Sequence, residues 1–172
     1  MTKRQAYVRV TVVIPTKNRS SEVKRLLEEL LRQTLRPYEV IVVDDSNDQR
    51  TKRAVESLKP SYQQKNIMLR YTRNSNSSSR ARLLGGLIAQ GDIVVYTDDD
   101  LHLNPRALEY LVLSLMKTDA VAIWGKIAFP DMKQVARNKL VNLLGKFLRS
   151  LIFGGVTCGG GLFAVRRKVL SE

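Results

Sequence analysis

The apolar positions of this 172-residue chain change period several times between its ends. Val8 to Ile14 is a β-branched run closed by Pro15, which reads as a buried first strand. A loop, PTKNRSS, follows, and a helix starts at Ser20 or Ser21. In that helix Val23, Leu26, Leu27, Leu30 and Leu31 recur every three or four residues, with Lys24, Arg25, Glu28 and Glu29 on the other face. Pro37 and Tyr38 break it, and Val40 to Val43 form a second buried strand ending in Asp44-Asp45. Asp48 is placed to cap a second helix through Leu58, and Ile67, Leu69 and Tyr71 alternate as a shorter, more exposed strand. The polar loop RNSNSSSR precedes a helix from about Ala81 to Gln90. Ile93 to Tyr96 then reads as a fully buried strand. A helix from Pro105 to Lys117, N-capped by Asn104, and a strand from Ala120 to Trp124 complete the alternation.

Strand and helix thus alternate for four rounds, with connections too long for hairpins. That pattern predicts an α/β fold: a mostly parallel sheet with right-handed crossovers and helices on both faces. No repeat or interdomain linker interrupts it, so residues 1–172 are expected to form a single domain. Past Trp124 the pattern changes. Asp131 to Phe153 reads as a basic amphipathic helix, with Leu140, Leu144, Phe147, Leu148 and Leu151 on one side. Lys139, Asn142, Lys146 and Arg149 lie towards the other. A glycine triplet and a short apolar strand, Leu162 to Val165, come before two arginines.

The chemistry-bearing residues gather where strands end. Three loops leave the C-terminal ends of parallel strands: Pro15 to Arg19, Asp44 to Asp48, and Thr97 to Asp100. In an open α/β sheet that edge is where ligands bind. Three adjacent acids, Asp98, Asp99 and Asp100, repel one another unless a cation or donor groups hold them. If the segment stays extended, Asp98 and Asp100 point the same way and Asp99 elsewhere, so replacing Asp99 should be milder than replacing Asp100. Hard oxygen ligands of this kind suit Mg²⁺ or Mn²⁺ carrying a diphosphate. Carboxylates at the ends of two strands suit a nucleotide held by base and ribose, with the metal on its phosphates. Arg73, Arg80 and Arg82 bracket the serine-rich loop, within reach of such phosphates or simply in solvent. The plainer alternative for the acids is a loop that caps the next helix. His102, Trp124 and Cys158 read as a loop residue, a core or pocket-wall residue and a small buried residue respectively.

Composition narrows the partners. Lys+Arg number 29 against 16 Asp+Glu, a net charge of 29 − 16 = +13, which attracts nucleic acid, an anionic membrane face or phosphorylated small molecules. Aromatic residues make up only 6% and no recognition motif interleaves them with the basic residues, so a nucleic-acid-binding domain is the lesser reading and no nucleic acid is expected. A single cysteine excludes an internal disulfide. No signal peptide and no stretch of membrane-spanning length are legible, which places the product in the cytoplasm or peripherally at the inner membrane face. Neither Gly-x-Gly-x-x-Gly nor a phosphate-loop motif follows the first strand. PTKNRSS also lacks the glycine and lysine richness of a sugar-nucleotidyltransferase loop.

Taken in order, VTVVIPTKNR, EVIVVDDSNDQRT, RARLLGGLIAQGDIVVYTDDD and GGGLFAVRR resemble the family 2 glycosyltransferases of GT-A fold over nearly the whole chain. The resemblance implies a nucleotide-sugar donor, UDP- or GDP-linked, with Mn²⁺ or Mg²⁺, and hexosyl-type transfer to an unspecified acceptor. It implies that Pro15, Thr16, Asp44 and Asp45 hold base and ribose. Asp98 would hold ribose and metal, Asp100 the metal, and Arg82 would sit near the diphosphate. It also divides the chain into a nucleotide-binding half, about residues 1–125, and an acceptor-side half, about 126–172. Leu83 stands where the family has Asn. Family members continue into an acceptor segment carrying a general base, and this chain's sequence stops at Glu172. Asp131 and Glu172 are poor candidates for that base. The expectations are therefore no assigned catalytic residue, slow transfer by this chain alone, and a donor-binding fragment or non-catalytic nucleotide-binding module as the alternative. Residues 139–153 are expected either to lie on an anionic membrane, which suits a lipid-linked acceptor, or to pack on the sheet.

Overall fold

The computed structural model describes residues 8–73, 78–125 and 161–170. The predicted amphipathic helix, Asp131, Cys158 and Glu172 lie outside the described residues. Among those described, six strands form one sheet: β1 (Val10–Thr16), β2 (Glu39–Asp44), β3 (Met68–Arg73), β4 (Ile93–Tyr96), β5 (Ala122–Trp124) and β6 (Phe163–Arg166). Four α-helices connect them: α1 (Ser20–Leu30), α2 (Arg50–Gln64), α3 (Ser78–Ile88) and α4 (Ala107–Met116). A 3₁₀ turn follows β6 at Arg167–Leu170.

The spatial order is β3-β2-β1-β4-β6-β5. The first four are parallel, with Thr16 opposite Asp44 and Val13 opposite Tyr96. β6 enters antiparallel between β4 and β5. The sheet is therefore mixed, and its insertion point was invisible to local periodicity.

Alternation along the strands sorts the core into two layers. Val10, Val12 and Ile14 of β1 pack with Val40 and Val42 of β2 beneath α1, α2 and α4, whose contributions include Val23, Leu27, Val55, Tyr62, Leu108 and Leu115. Val13, Ile41, Val43 and Val94 face the other way, beneath α3. Gly85 makes that second layer thin. A Cβ there would run into the Val13 side chain, so α3 lies against β1 only because the position has none. The close approach fixes where Arg82, nearly one turn earlier, emerges at the C-terminal edge of the sheet.

Several boundaries differ from the sequence expectation for physical reasons. α2 runs through Pro60 to Gln64, because Tyr62 is fully buried and its hydroxyl donates to the Leu27 carbonyl at 2.8 Å. Tertiary burial offsets the proline, which costs about 3 kcal/mol in an isolated helix. α4 begins at Ala107 rather than at Pro105. Asn104 accepts from the Arg106 amide at 3.0 Å, which makes it a turn before the helix and not its N-cap. Asp48 likewise accepts from Arg50 N at 2.8 Å, one residue outside the Gln49 N-cap. Arg166, the last residue of β6, donates to the carbonyls of Leu115, Thr118 and Ala120 and so closes the C-terminal end of α4. The buried Glu39 is satisfied by Thr11, Arg70 and the Gln90 amide. No described buried side-chain nitrogen or oxygen lacks a partner.

Candidate functional site

The C-terminal ends of β1, β2 and β4 meet at one edge, as parallel pairing requires. Pro15 is buried within β1 opposite Val43. The Thr16 carbonyl accepts the Asp45 amide at 2.9 Å, which ties the β1 end to the β2 end. On the other side the Thr16 hydroxyl donates to Asp99 Oδ2 at 2.7 Å. Thr16 is thus the joint between the two acidic clusters.

At the β2 end, Asp44 is fully buried. It accepts from the Ser46 amide at 2.9 Å, from the Tyr71 hydroxyl at 2.8 Å and, through a very short contact, from the Ser46 hydroxyl. Ser46 Oγ in turn accepts the Asn18 amide at 2.7 Å. Asn18 adopts a left-handed backbone, φ 57°, which its short amide side chain tolerates, and its Oδ1 accepts from Asn47 N at 3.3 Å. The β1 loop is therefore stitched to the β2 loop by side chains. Burial, aided by the Asp44 carboxylate, pushes the Tyr71 phenol up to about 12. Asp45 turns the other way and pairs with Lys17 Nζ at 3.1 Å. Arg73, read as a phosphate partner or a solvent-facing residue, donates to the Ser46 carbonyl.

At the β4 end the alternation expected for the three acids does not hold. Regular strand ends at Tyr96 and the chain turns at Asp99-Asp100, so the two-residue period is lost. Asp99, expected to point elsewhere with little consequence, is the buried one: it receives Thr16 Oγ1 and Arg19 Nη1, the latter at 3.0 Å. The same Arg19 nitrogen donates to Asp100 Oδ2 at 2.9 Å, and Asp100 is 56% exposed. Asp98 pairs with Arg82 Nη2 at 2.5 Å, and its amide donates to the Gly161 carbonyl at 3.2 Å. Gly161 has φ 134°, a backbone that residues with a side chain rarely adopt. Part of the glycine triplet thus supports the acidic loop from the neighbouring strand. The two carboxylates hold the Arg19 guanidinium above its ordinary pKa.

Among the described residues no three His, Cys, Asp or Glu side chains form a closed metal cluster. The donor set nevertheless fits a hard divalent ion. Asp98 and Asp100 are carboxylates, both partly exposed at the edge, and Mg²⁺-type ions are held by one or two carboxylates plus substrate phosphates rather than by an all-protein cage.

Sequence reasoning gave no role to Arg19, Asn18, Ser46 or Tyr71. Apart from the local bonds from Ser46 to Asp44, their partners lie 27 to 81 positions away, so only the strand order β2-β1-β4 could have pointed to them. His102 is held by Glu29 at 3.0 Å and lies beside Arg25, away from the acids. Leu83 is 58% exposed on α3. Tyr96, Phe163 and Trp124 stack in a row across β4, β6 and β5, with centroids 4.7 and 6.0 Å apart, and Trp124 is the outer, partly exposed ring. A cavity of about 560 Å³ lies at the opposite edge, lined by residues including Asp92, Met116, Arg166 and Arg167, and contains none of the acids above.

The mixed α/β sheet carries its acids at the C-terminal ends of two parallel strands, β2 and β4, that flank β1, and its fold is that of the GT-A glycosyltransferases. The chain belongs to glycosyl transferase family 2, whose sequence model matches residues 11–172. It is 31% identical over 114 residues to the uncharacterized glycosyltransferase YwdF of Bacillus subtilis, covering 66% of this chain and 41% of that one. It is 28% identical over 180 residues to a dolichol-phosphate mannosyltransferase of Pyrococcus furiosus, covering 95% and 47%. A solved mannosyltransferase from Pyrobaculum calidifontis, in complex with GDP-Man and Mn²⁺, superposes with a TM-score of 0.67 at 27% identity, covering 95% of this chain and 46% of that one. The chain spans less than half the length of these relatives. No described helix is long and apolar enough to cross a membrane.

Proposed function

We propose that this domain binds a nucleoside-diphosphate sugar together with Mn²⁺ or Mg²⁺ and presents the sugar for transfer to an acceptor. The observation that carries the reading is the pair of outward carboxylates, Asp98 and Asp100, beside two guanidiniums at the C-terminal edge of a parallel sheet. The P. calidifontis relative, solved with GDP-Man and Mn²⁺, aligns along nearly all of this chain and supports it.

In this reading Asp98 and Asp100 hold the metal, which when bound neutralises charge building on the diphosphate leaving group. Arg82 and Arg19 lie close enough to that edge to meet the phosphates. Thr16 and Asp45 flank the space for base and ribose. Asp44 contributes from behind, by fixing Ser46 and Asn18 so that the β1 and β2 loops keep a constant separation. Pro15 contributes backbone position only, being buried in the ladder. A base for the acceptor hydroxyl has no assignment among the described residues.

We take the acceptor to be a lipid phosphate. The separation of Lys139, Lys146 and Arg149 from Leu144, Phe147 and Leu148 in the sequence suits an anionic bilayer, and the P. furiosus relative is named for a dolichol phosphate. The protein would then work on a cytoplasmic membrane face. Flotation with anionic liposomes tests this: equal recovery of wild type and a Phe147→Glu/Leu148→Glu variant would remove the membrane from the account.

The donor reading is tested by thermal shift against UDP, GDP, ADP and CDP with and without Mn²⁺. A ligand at 100 times its dissociation constant stabilises by about 2.7 kcal/mol. A shift requiring both nucleotide and metal is expected. No shift with any nucleotide, or the same shift in chelator, would overturn it.

A further inference from the structure

We infer that Arg19 is a positioning residue that couples metal binding to nucleotide binding, by occupying the carboxylates a divalent cation needs and surrendering them to it when a diphosphate offers the guanidinium another partner. The inference rests on the donor reading above and adds a role that the family resemblance did not supply.

Charge and geometry carry the argument. Three carboxylates, Asp98, Asp99 and Asp100, face two guanidiniums: Arg82 on Asp98, and Arg19 shared between Asp99 and Asp100 through a single nitrogen at 3.0 and 2.9 Å. The local charge is −3 + 2 = −1. A divalent ion arriving alone must displace a charge-assisted hydrogen bond from Asp100 and leave a guanidinium beside itself, so much of its electrostatic gain is lost. A nucleoside diphosphate changes the balance. Its phosphates accept the released guanidinium while the ion takes the carboxylate, and each ligand then favours the other by the same factor.

The mobility this requires is local. Arg19 is half exposed and stands at the N-cap of α1, where its side chain makes no capping bond. It can swing without unpacking the core. Asp99 stays anchored when Arg19 leaves, because Thr16 Oγ1 still donates to it. Asp100 is the exposed member, free to turn from guanidinium to metal. Lys17, the other cation of this loop, is engaged with Asp45 on the far side of Thr16 and does not compete for the same acids.

The experiment is calorimetric titration of Mn²⁺ into wild type, Arg19→Gln and Arg19→Lys, each alone and with saturating UDP or GDP, with circular dichroism melts to confirm folding. Arg19→Gln is expected to bind Mn²⁺ alone about 10-fold more tightly than wild type, and the factor by which nucleotide tightens Mn²⁺ is expected to shrink correspondingly. Arg19→Lys, keeping the charge, should stay close to wild type in Mn²⁺ affinity. If Arg19→Gln binds Mn²⁺ no more tightly while wild type still binds nucleotide in a metal-dependent way, the coupling role is wrong and the donor reading survives. If wild type binds no nucleotide even with Mn²⁺, the donor reading is wrong and the coupling role falls with it. A merely structural role for Arg19 would lower the melting temperature without tightening Mn²⁺, which is also contrary to the inference.

Discussion

The two acidic strand ends use the same residue type in opposite ways. At the β2 end Asp44 is sealed and receives three donors from Ser46 and Tyr71, while its neighbour Asp45 faces a lysine at the rim. At the β4 end Asp99 is the sealed one, and Asp98 and Asp100 on either side of it are met by long, partly exposed arginines. At the β4 end one carboxylate is anchored inside and its neighbours are partly exposed, whereas at the β2 end Asp45 is nearly as enclosed as Asp44 and is reached by the lysine alone. A carboxylate whose partners are backbone amides and buried hydroxyls cannot leave them cheaply. One whose partner is a guanidinium on a flexible stem can exchange it for another cation.

Breaking the frame should have the largest effect on stability. Asp44→Ala strands the Ser46 amide, the Ser46 hydroxyl and the Tyr71 hydroxyl in a buried space, which should cost about 3 kcal/mol and lower the melting temperature by roughly 10 °C. Calorimetric melting checks it. A change under about 2 °C would mean that water reaches Asp44 and that the frame is softer than its burial says.

Next comes the layer that carries Arg82. Gly85→Ala sets a methyl against Val13, and overpacking of this kind costs about 1–3 kcal/mol. Because α3 must shift, Arg82 should lose its register with Asp98, so metal-dependent nucleotide affinity should fall as well. Urea melts and titration calorimetry on the one variant give both readouts. Loss of stability with unchanged affinity would show that Arg82 is positioned by something other than helix packing.

Tyr71→Phe is smaller still, about 1 kcal/mol for one hydrogen bond to Asp44. It also alters the alkaline limb. Burial and Asp44 raise the Tyr71 pKa to about 12, above its unfolded value near 10, so its contribution is complete below about pH 10 and is lost as pH rises towards 12. Burial raises Tyr62 and Tyr96 in the same direction. Denaturant melts from pH 9 to 12 should therefore show stability falling with pH in the wild type and falling less steeply in Tyr71→Phe. Parallel slopes would contradict the assignment.

What the sequence disclosed follows from where each feature gets its energy. β1, β2 and β4 are buried on both faces, and strands so placed are mostly apolar, so the runs Val8 to Ile14, Val40 to Val43 and Ile93 to Tyr96 were readable directly, although β1 starts at Val10 and continues through Pro15 to Thr16. α1 was readable because its stripe of leucines meets a single layer. The place of β6 was not. Residues 125–162 separate it from β5, and four residues of FAVR carry no mark of direction. The acids were found, but their roles were assigned by a period of two that ends with the strand. Asp99 is sealed because the turn at Asp99-Asp100 brings it onto Thr16, a contact spanning 83 positions. Arg19 was invisible for the same reason, since both its partners come from another strand's loop.

The central claim is a division of labour between sealed and outward carboxylates, and Asp100→Ala tests it most directly. Asp100 has a surface partner only, so its removal should change stability by no more than about 0.5 kcal/mol. It should also abolish the Mn²⁺-dependent part of UDP or GDP binding measured by titration calorimetry. A folded Asp100→Ala protein that keeps the wild-type, metal-dependent affinity would contradict the account at its base.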